Sequence, residues 1–254
     1  MLRRRGQLMG RPWTRRALAA GMLPISLGYY ESRMLSTKPV ALWPLSEPAG
    51  AASVADVVAS FAGTPSNVTL ANATFPDGTP APLFNGTSSY IDILTAAFVS
   101  AFTGGDEGSM AIWLRPNTGV LSDGAFRTLL VLRSNAQNFV TLEKSSLANA
   151  IFGYRRASNE SRNAHTTTFN SAWNHLVFTW KRSSGRLYMY RNGVQIAGNT
   201  DSTQAFVGSL TEAYIGAVSN ASLFWSGWLK YAAVWNRELT QSDVNALYVG
   251  AFAL

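Results

Sequence analysis

The fold of this chain is decided by one stretch, Trp173-Asn-His-Leu-Val-Phe-Thr-Trp-Lys-Arg-Ser-Ser-Gly-Arg-Leu-Tyr-Met-Tyr-Arg-Asn-Gly-Val-Gln-Ile196. Leu176, Phe178 and Trp180 recur with a period of two, which is typical of a β-strand. The stretch has a turn at 183–185 and a second turn at Asn192-Gly193, a dipeptide that accepts positive φ. It therefore predicts three short antiparallel strands, with Leu176, Phe178 and Trp180 facing the space between two sheets.

Similar alternation continues along the chain and predicts an all-β domain. Short strands with turn residues between them, at roughly 10-residue spacing, are typical of a sandwich or jelly roll. After the first strand, which begins at Pro39, strands are predicted at 83–94, 108–116, 126–133, 137–143, 148–154, 164–169, 175–182, 186–191, 194–197, 212–217 and 227–236, with two weak strands within 50–82.

One short helix is predicted near the C-terminus. Thr240-Gln241-Ser242-Asp243 has the pattern of a capping box, with Asp in the position usually held by Glu. Val244, Leu247 and Tyr248 follow at the spacing of a buried helical face.

The quoted stretch, Trp-x-His-Leu-Val-Phe-Thr-Trp followed by Leu-Tyr-Met-Tyr-Arg-Asn-Gly, resembles the laminin-G-type, concanavalin A-like family. Further segments similar to that family's strands follow in its order, at 41–45, 84–93, 108–116, 214–216 and 224–239. The resemblance covers residues 39–254 and implies a two-sheet antiparallel jelly-roll sandwich. That fold hosts recognition more often than catalysis, although a fold alone settles no function.

Charge divides the chain into two parts. Residues 1–38 carry seven Arg and one Lys against a single acid, Glu31, whereas residues 39–254 carry 13 basic and 13 acidic side chains. We therefore expect an extended basic arm at 1–38 and a jelly-roll domain at 39–254. The chain has no cysteine, which excludes disulfides, thiolate metal sites and a cysteine nucleophile.

The arm is expected to dock on a neighbouring subunit and to remain extended, because its Pro and Gly residues disfavour a long helix. Deletion of residues 1–30 is then expected to leave a folded jelly roll. Alternatives remain open: a mitochondrial presequence, a twin-arginine export signal, or a basic tail. The apolar stretch at 17–30 is too short and interrupted to span a membrane. The candidate docking residues are Arg3, Arg4, Arg5, Arg11, Trp13, Arg15 and Arg16.

The sequence Gly10-Arg-Pro-Trp-Thr-Arg15 ahead of a laminin-G-type domain is similar to bacteriophage virion proteins. This resemblance implies a non-enzymatic virion protein, as a head-decoration, fibre or tail-appendage subunit, whose arm binds neighbouring capsid or tail subunits. The alternative is a carbohydrate-binding lectin module of a cell-surface or secreted protein. Nucleic acid is disfavoured as a partner, because the arm mixes its arginines with apolar residues and the domain has no basic patch.

Residues for catalysis are not arranged in any recognised pattern. Glycoside hydrolysis needs two carboxylates that flank the bond, and the family's Glu-x-Asp-x-x-Glu signature does not occur. Asp106 and Glu107 are adjacent, so in an extended segment they would point to opposite sides. His165 and His175 have no companion acid, and His175 fits a structural role. We expect a binding protein that is not an enzyme and has no cofactor.

Many members of the resembled family bind calcium, but the matching segment here carries Lys230 and Tyr231 in place of two acids. A calcium site of the family type is therefore not expected. The scattered acids Asp92, Asp123 and Asp201 fit turn or surface positions better than a ligand set.

Aromatic residues suggest where a sugar could stack. Six tryptophans match core-like strand positions: Trp43, Trp113, Trp173, Trp180, Trp228 and Trp235. Trp225 is the tryptophan expected to be exposed, and Asn135, Asn138 and Asn159 are candidates for hydrogen bonds to sugar hydroxyls.

Overall fold

Two antiparallel sheets and three helices make up the part of the chain that the computed structural model describes, residues 28–146, 150–158, 160–166, 169–200, 202–218 and 222–252. The predicted all-β sandwich with a short C-terminal helix is confirmed. Both weak strands expected within 50–82 are present, at Thr64–Ser66 and Thr69–Thr74.

The larger sheet has eight strands. The strands are β1 Ala41–Trp43, β3 Thr69–Thr74, β4 Pro80–Asn85, β6 Glu107–Pro116, β11 Asn174–Lys181, β12 Arg186–Arg191, β13 Val194–Asn199 and β15 Ser226–Trp235. Their order in the sheet is β13-β12-β11-β6-β15-β4-β3, and β1 pairs with the far end of β15.

The smaller sheet has seven strands in the order β10-β9-β8-β7-β14-β5-β2. These are β2 Thr64–Ser66, β5 Tyr90–Asp92, β7 Arg127–Asn135, β8 Asn138–Lys144, β9 Ile151–Ala157, β10 Glu160–Thr166 and β14 Glu212–Ile215. Strands from the middle of the chain, β7 to β10, form one half of this sheet as consecutive hairpins.

The main core lies between the two sheets. Leu176, Phe178 and Trp180 on β11 are fully buried there, which confirms their predicted direction. The facing strand β9 carries Gly153, where a Cβ would lie 2.2 Å from the Phe178 ring. Only glycine leaves room for that ring, so the sheets approach closely at this point.

Helix α3, Gln241–Gly250, follows the predicted capping box. The Thr240 hydroxyl accepts a hydrogen bond from the Asp243 amide at 3.1 Å, and the Asp243 carboxylate accepts one from the Thr240 amide at 2.9 Å. Val244 and Leu247 are fully buried against the eight-stranded sheet. A second helix, α2, Ala96–Ala101, was not predicted; the Thr95 side chain caps it and Phe98 is its buried residue.

The structure corrects the expectation of an extended chain through residue 38. Residues Tyr29–Ser36 form helix α1, which packs on the outer face of the eight-stranded sheet beside α3. Tyr30 and Met34 are buried, and the Tyr30 hydroxyl accepts a hydrogen bond from Trp113 Nε1 at 2.8 Å. Burial of these two side chains, rather than intrinsic propensity, stabilises a helix this short.

Candidate functional site

The outer faces of the two sheets differ in what covers them. Helices α1 and α3 bury the outer face of the eight-stranded sheet, including Trp113, Val177 and Trp235. Among the described residues, no helix packs on the outer face of the seven-stranded sheet. That open face is the first candidate for a binding surface.

Aromatic and polar side chains alternate with core residues to form this open face. On β8, Val140 and Leu142 point into the core, so Phe139, Thr141 and Glu143 point outward. The register pairs Thr141 with Tyr154 of β9 on one side. On the other side Thr141 pairs with Val131 of β7, which pairs in turn with Tyr214 of β14. Each outward aromatic side chain is partly exposed: Phe139, Phe152, Tyr154, Tyr214 and Tyr90.

The aromatic rings on this face contact one another. The centroids of Phe139 and Tyr154 are 5.3 Å apart, and those of Tyr90 and Tyr214 are 5.7 Å apart. Rings held by such contacts lose little freedom when a flat ligand packs on them. The outer face therefore carries a preformed aromatic surface.

A cleft of about 260 Å³ opens beside this surface, lined by Arg133, Phe139, Thr141, Glu143, Val218 and Leu223. Within the described residues, the Glu143 carboxylate has no hydrogen bond or ion pair, and burial raises the pKa of Glu143 to about 7. The neighbouring Thr128 hydroxyl is buried without a partner. Of these two groups, only the Glu143 carboxyl lines the cleft and could form hydrogen bonds with a ligand in it.

Charged residues border the aromatic surface. Arg133 lies 5.6 Å from the Phe139 ring centroid, and its guanidinium lies 3.5 Å from the Glu212 carboxylate. On the other side of Phe139, the register places Arg156 of β9. The Arg156 Nε is buried with no hydrogen-bond partner within the described part of the chain. Arg133 and Arg156 are therefore the cross-strand neighbours of Phe139.

Trp225, Asn135 and Asn138, three of the predicted glycan residues, do not supply free groups to this face. Trp225 was expected to be exposed but is fully buried in the main core, because it packs inward just before β15 begins. Asn135 and Asn138 use their side-chain oxygens within the protein: Asn135 accepts from the Gln137 amide at 2.8 Å, and Asn138 from the Val207 amide at 2.9 Å. The Asn135 oxygen stabilises its own turn and the Asn138 oxygen joins the hairpin to the loop at Val207, so neither oxygen is free. Asn159 lies outside the described residues.

The candidate docking residues of the N-terminal arm also lie outside the described residues: Arg3, Arg4, Arg5, Arg11, Trp13, Arg15 and Arg16.

Of the tryptophans predicted to be core-like, Trp43, Trp113, Trp180 and Trp235 are fully buried. Trp173 and Trp228 are partly exposed instead. Both lie toward the outer side of the eight-stranded sheet, where strand alternation points them away from the main core.

The segment in which Lys230 and Tyr231 replace two acids holds an internal ammonium group. Lys230 is fully buried and donates a hydrogen bond to Ser46 Oγ, and the Tyr231 hydroxyl donates to the Asp77 carboxylate. Burial lowers the pKa of Lys230 to about 8, although Asp77, Glu31 and Glu47 raise it in part. In the described ranges, no group of three His, Cys, Asp or Glu residues could hold a metal ion.

The scattered acids have structural partners. The Asp123 carboxylate accepts hydrogen bonds from Lys144 at 3.0 Å and from Arg127 at 2.6 Å. The Asp92 carboxylate accepts one from the Leu94 amide at 2.9 Å. Asp201 lies outside the described part of the chain.

His175 is a buried structural residue. Its ring stacks on Trp113, with centroids 4.9 Å apart, and neither ring nitrogen has a hydrogen-bond partner among the described residues. Desolvation lowers the pKa of His175 to about 3, so the imidazole is neutral at physiological pH. A general base needs contact with its substrate, which this position does not offer.

Glu143 and Glu212, the two acids nearest the aromatic surface and its cleft, are too far apart to form a catalytic pair for glycoside hydrolysis. Glu143 pairs in register with Thr128 of β7, whereas Glu212 pairs with Arg133. Five residues along a strand span about 16 Å. A pair of catalytic carboxylates is separated by about 5–9.5 Å. Glu143 and Glu212 therefore do not have the separation of a catalytic pair.

Two further clefts meet at Asp106, one of about 430 Å³ and one of about 260 Å³. The polar groups here are paired within the protein. Asp106 accepts from Arg182 at 2.9 Å and from the Phe206 amide at 2.8 Å, and the buried Arg155 donates to Ser202 Oγ at 2.9 Å. These groups hold loops together and leave little free for a ligand.

Sequence reasoning missed the open face, although a signal was present. Phe139, Thr141 and Glu143 share one parity of β8, and Phe152 and Tyr154 share one parity of β9. Aromatic residues on the outward parity of two neighbouring strands mark a surface that binds a ligand only where the rest of the chain leaves it uncovered. Among the described residues, no helix is both long and apolar enough to cross a membrane.

Comparisons with solved structures agree on the fold. The receptor-binding domain of botulinum neurotoxin C/D mosaic serotype has a TM-score of 0.65 and 14% identity, over 84% of this chain and 51% of that chain. The botulinum neurotoxin serotype D ligand-binding domain, in complex with N-acetylneuraminic acid, has a TM-score of 0.62 and 16% identity, over 86% of this chain and 52% of that chain. This chain thus spans about half the length of these toxin domains.

A third similar structure is of comparable size. Domain 4 of AbnA, an extracellular arabinanase of family GH43 from Geobacillus stearothermophilus in complex with arabinotriose, has a TM-score of 0.62. It is 17% identical over 83% of this chain and 98% of that chain. No curated protein matches the sequence.

A family model described as the concanavalin A-like lectin/glucanases superfamily, of laminin G type, matches residues 85–245. This range is more than half of the chain, and it includes the strands that form the open face, β7 to β10 and β14. The chain therefore belongs to the concanavalin A-like lectin/glucanases superfamily.

Proposed function

We propose that the chain is a non-enzymatic carbohydrate-binding module, and that the outer face of its seven-stranded sheet binds the sugar. The observation that carries this proposal is the uncovered aromatic surface of Phe139 and Tyr154 beside a cleft that contains the unpaired Glu143 carboxyl. A pyranose or furanose ring offers apolar C–H groups to an aromatic face and hydroxyls to polar neighbours. Few other ligand classes need both together.

Each side chain has a distinct part in this proposal. Phe139 and Tyr154 supply the surface on which a sugar ring packs, and the Glu143 carboxyl, which lines the cleft, hydrogen-bonds its hydroxyls. Arg133 is held by Glu212 and donates from the rim of the cleft. Two of the similar structures contain a sugar, arabinotriose in one and N-acetylneuraminic acid in the other, which supports a carbohydrate ligand here. By the same analogy, we propose an extracellular or surface location.

The test is glycan binding by the purified chain, first on a glycan array and then by calorimetry with the best ligand. Phe139→Ala should weaken binding about 30-fold, since truncation of a central aromatic residue costs about 2 kcal/mol. The matched control is Phe252→Ala, which removes a half-exposed phenylalanine on the opposite side of the molecule. Equal loss in both variants, or no binding to any glycan, would contradict the proposal.

A second candidate function rests on the N-terminal charge. Residues 1–27 carry six Arg and no acidic residue, and they precede a helix that is packed onto the domain. We propose that this segment anchors the chain to an acidic surface of a larger assembly, such as the capsid or tail subunits of a bacteriophage particle. Replacement of Arg11, Arg15 and Arg16 with Glu should then prevent incorporation, while the Ala variants should retain part of it. Normal incorporation of the Glu variants would refute this role.

A further inference from the structure

A second aromatic cluster lies on the eight-stranded sheet, beside the area that α1 and α3 cover. Arg115 of β6 pairs in register with Trp228 of β15. Trp173 precedes Asn174, which pairs with Leu114, so Trp173 lies on the other side of Arg115. The Arg115 guanidinium carbon is 3.9 Å from the Trp228 ring centroid and 5.4 Å from that of Trp173. We call these three residues the Trp–Arg–Trp row.

The two indoles of the row are fixed by their neighbours. Trp228 Nε1 donates a hydrogen bond to the Asn72 side-chain oxygen at 2.9 Å. The Trp173 ring packs edge-on against the buried Phe75, with centroids 4.9 Å apart. Arg115 is therefore held between rings that have little freedom to move, although all three residues of the row remain partly exposed.

Arg115 differs from other arginines of the domain in its partners. Arg127, Arg133, Arg155, Arg182, Arg186 and Arg237 each lie within 4.0 Å of a carboxylate. Within the described ranges, Arg115 has aromatic partners but no hydrogen bond or ion pair. A ring face attracts the positive charge without accepting the N–H groups that lie in the guanidinium plane. The donors of Arg115 are therefore free while its position is fixed.

A fixed guanidinium with free donors recognises a planar anion. Its fork of N–H groups matches the two oxygens of a carboxylate, and such charge-assisted pairs are stronger than neutral hydrogen bonds. The partly exposed indoles on either side offer apolar surface for a ring attached to that carboxylate. The side-chain entropy lost on binding is small, because Arg115 is already positioned.

We propose that the Trp–Arg–Trp row is a second binding site, which takes the carboxylate of an acidic sugar such as a uronic or sialic acid. This inference extends the proposed carbohydrate-binding function to the opposite sheet and to a charged class of ligand. It rests on that proposed function only for the choice of a sugar as the bearer of the carboxylate.

The experiment is an NMR titration of the full chain with a trigalacturonate, at about 150 mM salt to screen exposed charge. The expected result is a shift of the Trp173 and Trp228 indole N–H signals, assigned by Trp→Phe variants. The methyl-esterified trisaccharide, which has the same rings without charge, should bind at least ten-fold more weakly. Equal binding of the two trisaccharides would overturn the proposal.

Variants separate this site from other basic residues. Arg115→Gln should lower affinity for trigalacturonate at least ten-fold, and Arg115→Lys should recover only part of it. The control Arg182→Gln removes the same charge from the other end of β11. Residues 1–27 are present in every variant, so their arginines cannot produce the difference. Equal losses in the Arg115 and Arg182 variants would mean non-specific charge attraction and would overturn the site.

Two further ligands and one further variant complete the design. An oligoglutamate peptide or a sulfated disaccharide that binds the row as tightly as trigalacturonate would overturn the assignment to carboxylate sugars. Phe139→Ala should leave trigalacturonate binding unchanged, and Arg115→Gln should leave neutral glycan binding unchanged. Failure of the row and failure of the seven-stranded face are therefore observed separately.

Discussion

The outer faces of the two sheets carry similar aromatic residues, but among the described residues helices cover only the eight-stranded one. On the eight-stranded sheet, Trp113 and Tyr231 are fully buried under α1 and α3, and their polar atoms have partners inside the protein. On the seven-stranded sheet, Phe139 and Tyr154 stay partly exposed, and Glu143 has no partner in the described part of the chain. Aromatic residues on a sheet face therefore do not by themselves indicate a site. What matters is whether the chain supplies a cover.

Weaker packing of α1 on the eight-stranded sheet should have the largest effect on stability. Met34 is fully buried where α1 meets the eight-stranded sheet, so Met34→Ala should lower the free energy of unfolding by about 2–5 kcal/mol. Phe139→Ala on the open face should cost only about 1 kcal/mol, since a partly exposed site leaves a smaller cavity. Urea unfolding of both variants measures the contrast. Equal costs would mean that α1 is not a structural part of the domain.

Truncation of the chain tests how much α1 as a whole stabilises the domain. Deletion of residues 1–27 should leave stability unchanged, whereas deletion of 1–38 should expose the surface under α1 and cause a large loss of stability. Deletion of residues 1–30, which the sequence alone predicts to leave a folded domain, should also lower stability, because Tyr30 accepts a hydrogen bond from Trp113.

The two faces should respond to pH with opposite signs. On the covered face, the pKa of His175 is lowered to about 3, whereas the unfolded chain protonates this residue near 6.5. The unfolded state therefore binds more protons between these values, and stability is lost as the pH falls below about 6.5. The loss is about 1.4 kcal/mol per pH unit, or about 2–3 kcal/mol at pH 4.5. A His175→Phe variant should lack this component, and identical pH profiles would refute it.

On the open face, the pKa of Glu143 is raised to about 7, against 4.5 in the unfolded chain. Here the native state binds more protons between those values, so stability falls as the pH rises from about 4.5 to about 7 and is then constant. We expect a contribution of about 1–2 kcal/mol, reduced by the partial exposure of this residue. Glu143→Gln should remove it, as measured by melting temperature against pH. A slope of the same sign as that of His175 would contradict the burial of this carboxyl.

The smallest effect is expected at the cap of α3, which helps to cover the eight-stranded sheet. Thr240→Ala removes the hydroxyl that accepts from the Asp243 amide and should cost about 1 kcal/mol. Thr240→Ser keeps that acceptor and serves as the control. If both variants lose the same stability, the capping hydrogen bond is not the cause.

Local signals in the sequence account for much of the fold. The alternation at Leu176, Phe178 and Trp180 predicts β11, and the pattern from Thr240 to Asp243 predicts α3, because each is encoded within a few neighbouring residues. Helix α1 escaped prediction, since its stability comes from Tyr30 and Met34 packing on distant strands. Its N-cap, Gly28, offers no side chain that would mark the start.

The candidate site was harder to predict than the fold. The ladder between β15 and β6 has an irregularity between Lys230 and Ala233, and Tyr231 there has a φ of 51°. Such a bulge breaks the simple alternation, so residues on either side of it cannot be assigned to a face by counting. Trp228 was placed in the core and Trp225 at the surface, the reverse of their positions, because the exposure of an outward residue depends on where α1 and α3 cover the sheet. Pairing across strands, which brings Phe139 beside Tyr154, is not visible in a single sequence.

The contact between α1 and α3 determines on which side of the sandwich the two ends of the described chain lie. The Arg33 side chain in α1 lies 3.5 Å from the position that a Cβ on Gly250 of α3 would take, which is van der Waals contact distance. Both ends of the described chain therefore leave from the same side of the sandwich, behind the covered sheet. A support, a fusion partner or a neighbouring subunit that contacts the domain next to residue 28 or residue 252 would lie on the covered side, and the seven-stranded sheet is the opposite layer of the sandwich. A circular permutant that joins residue 28 to residue 252 by a short linker should fold, because the contact between α1 and α3 already brings these positions together.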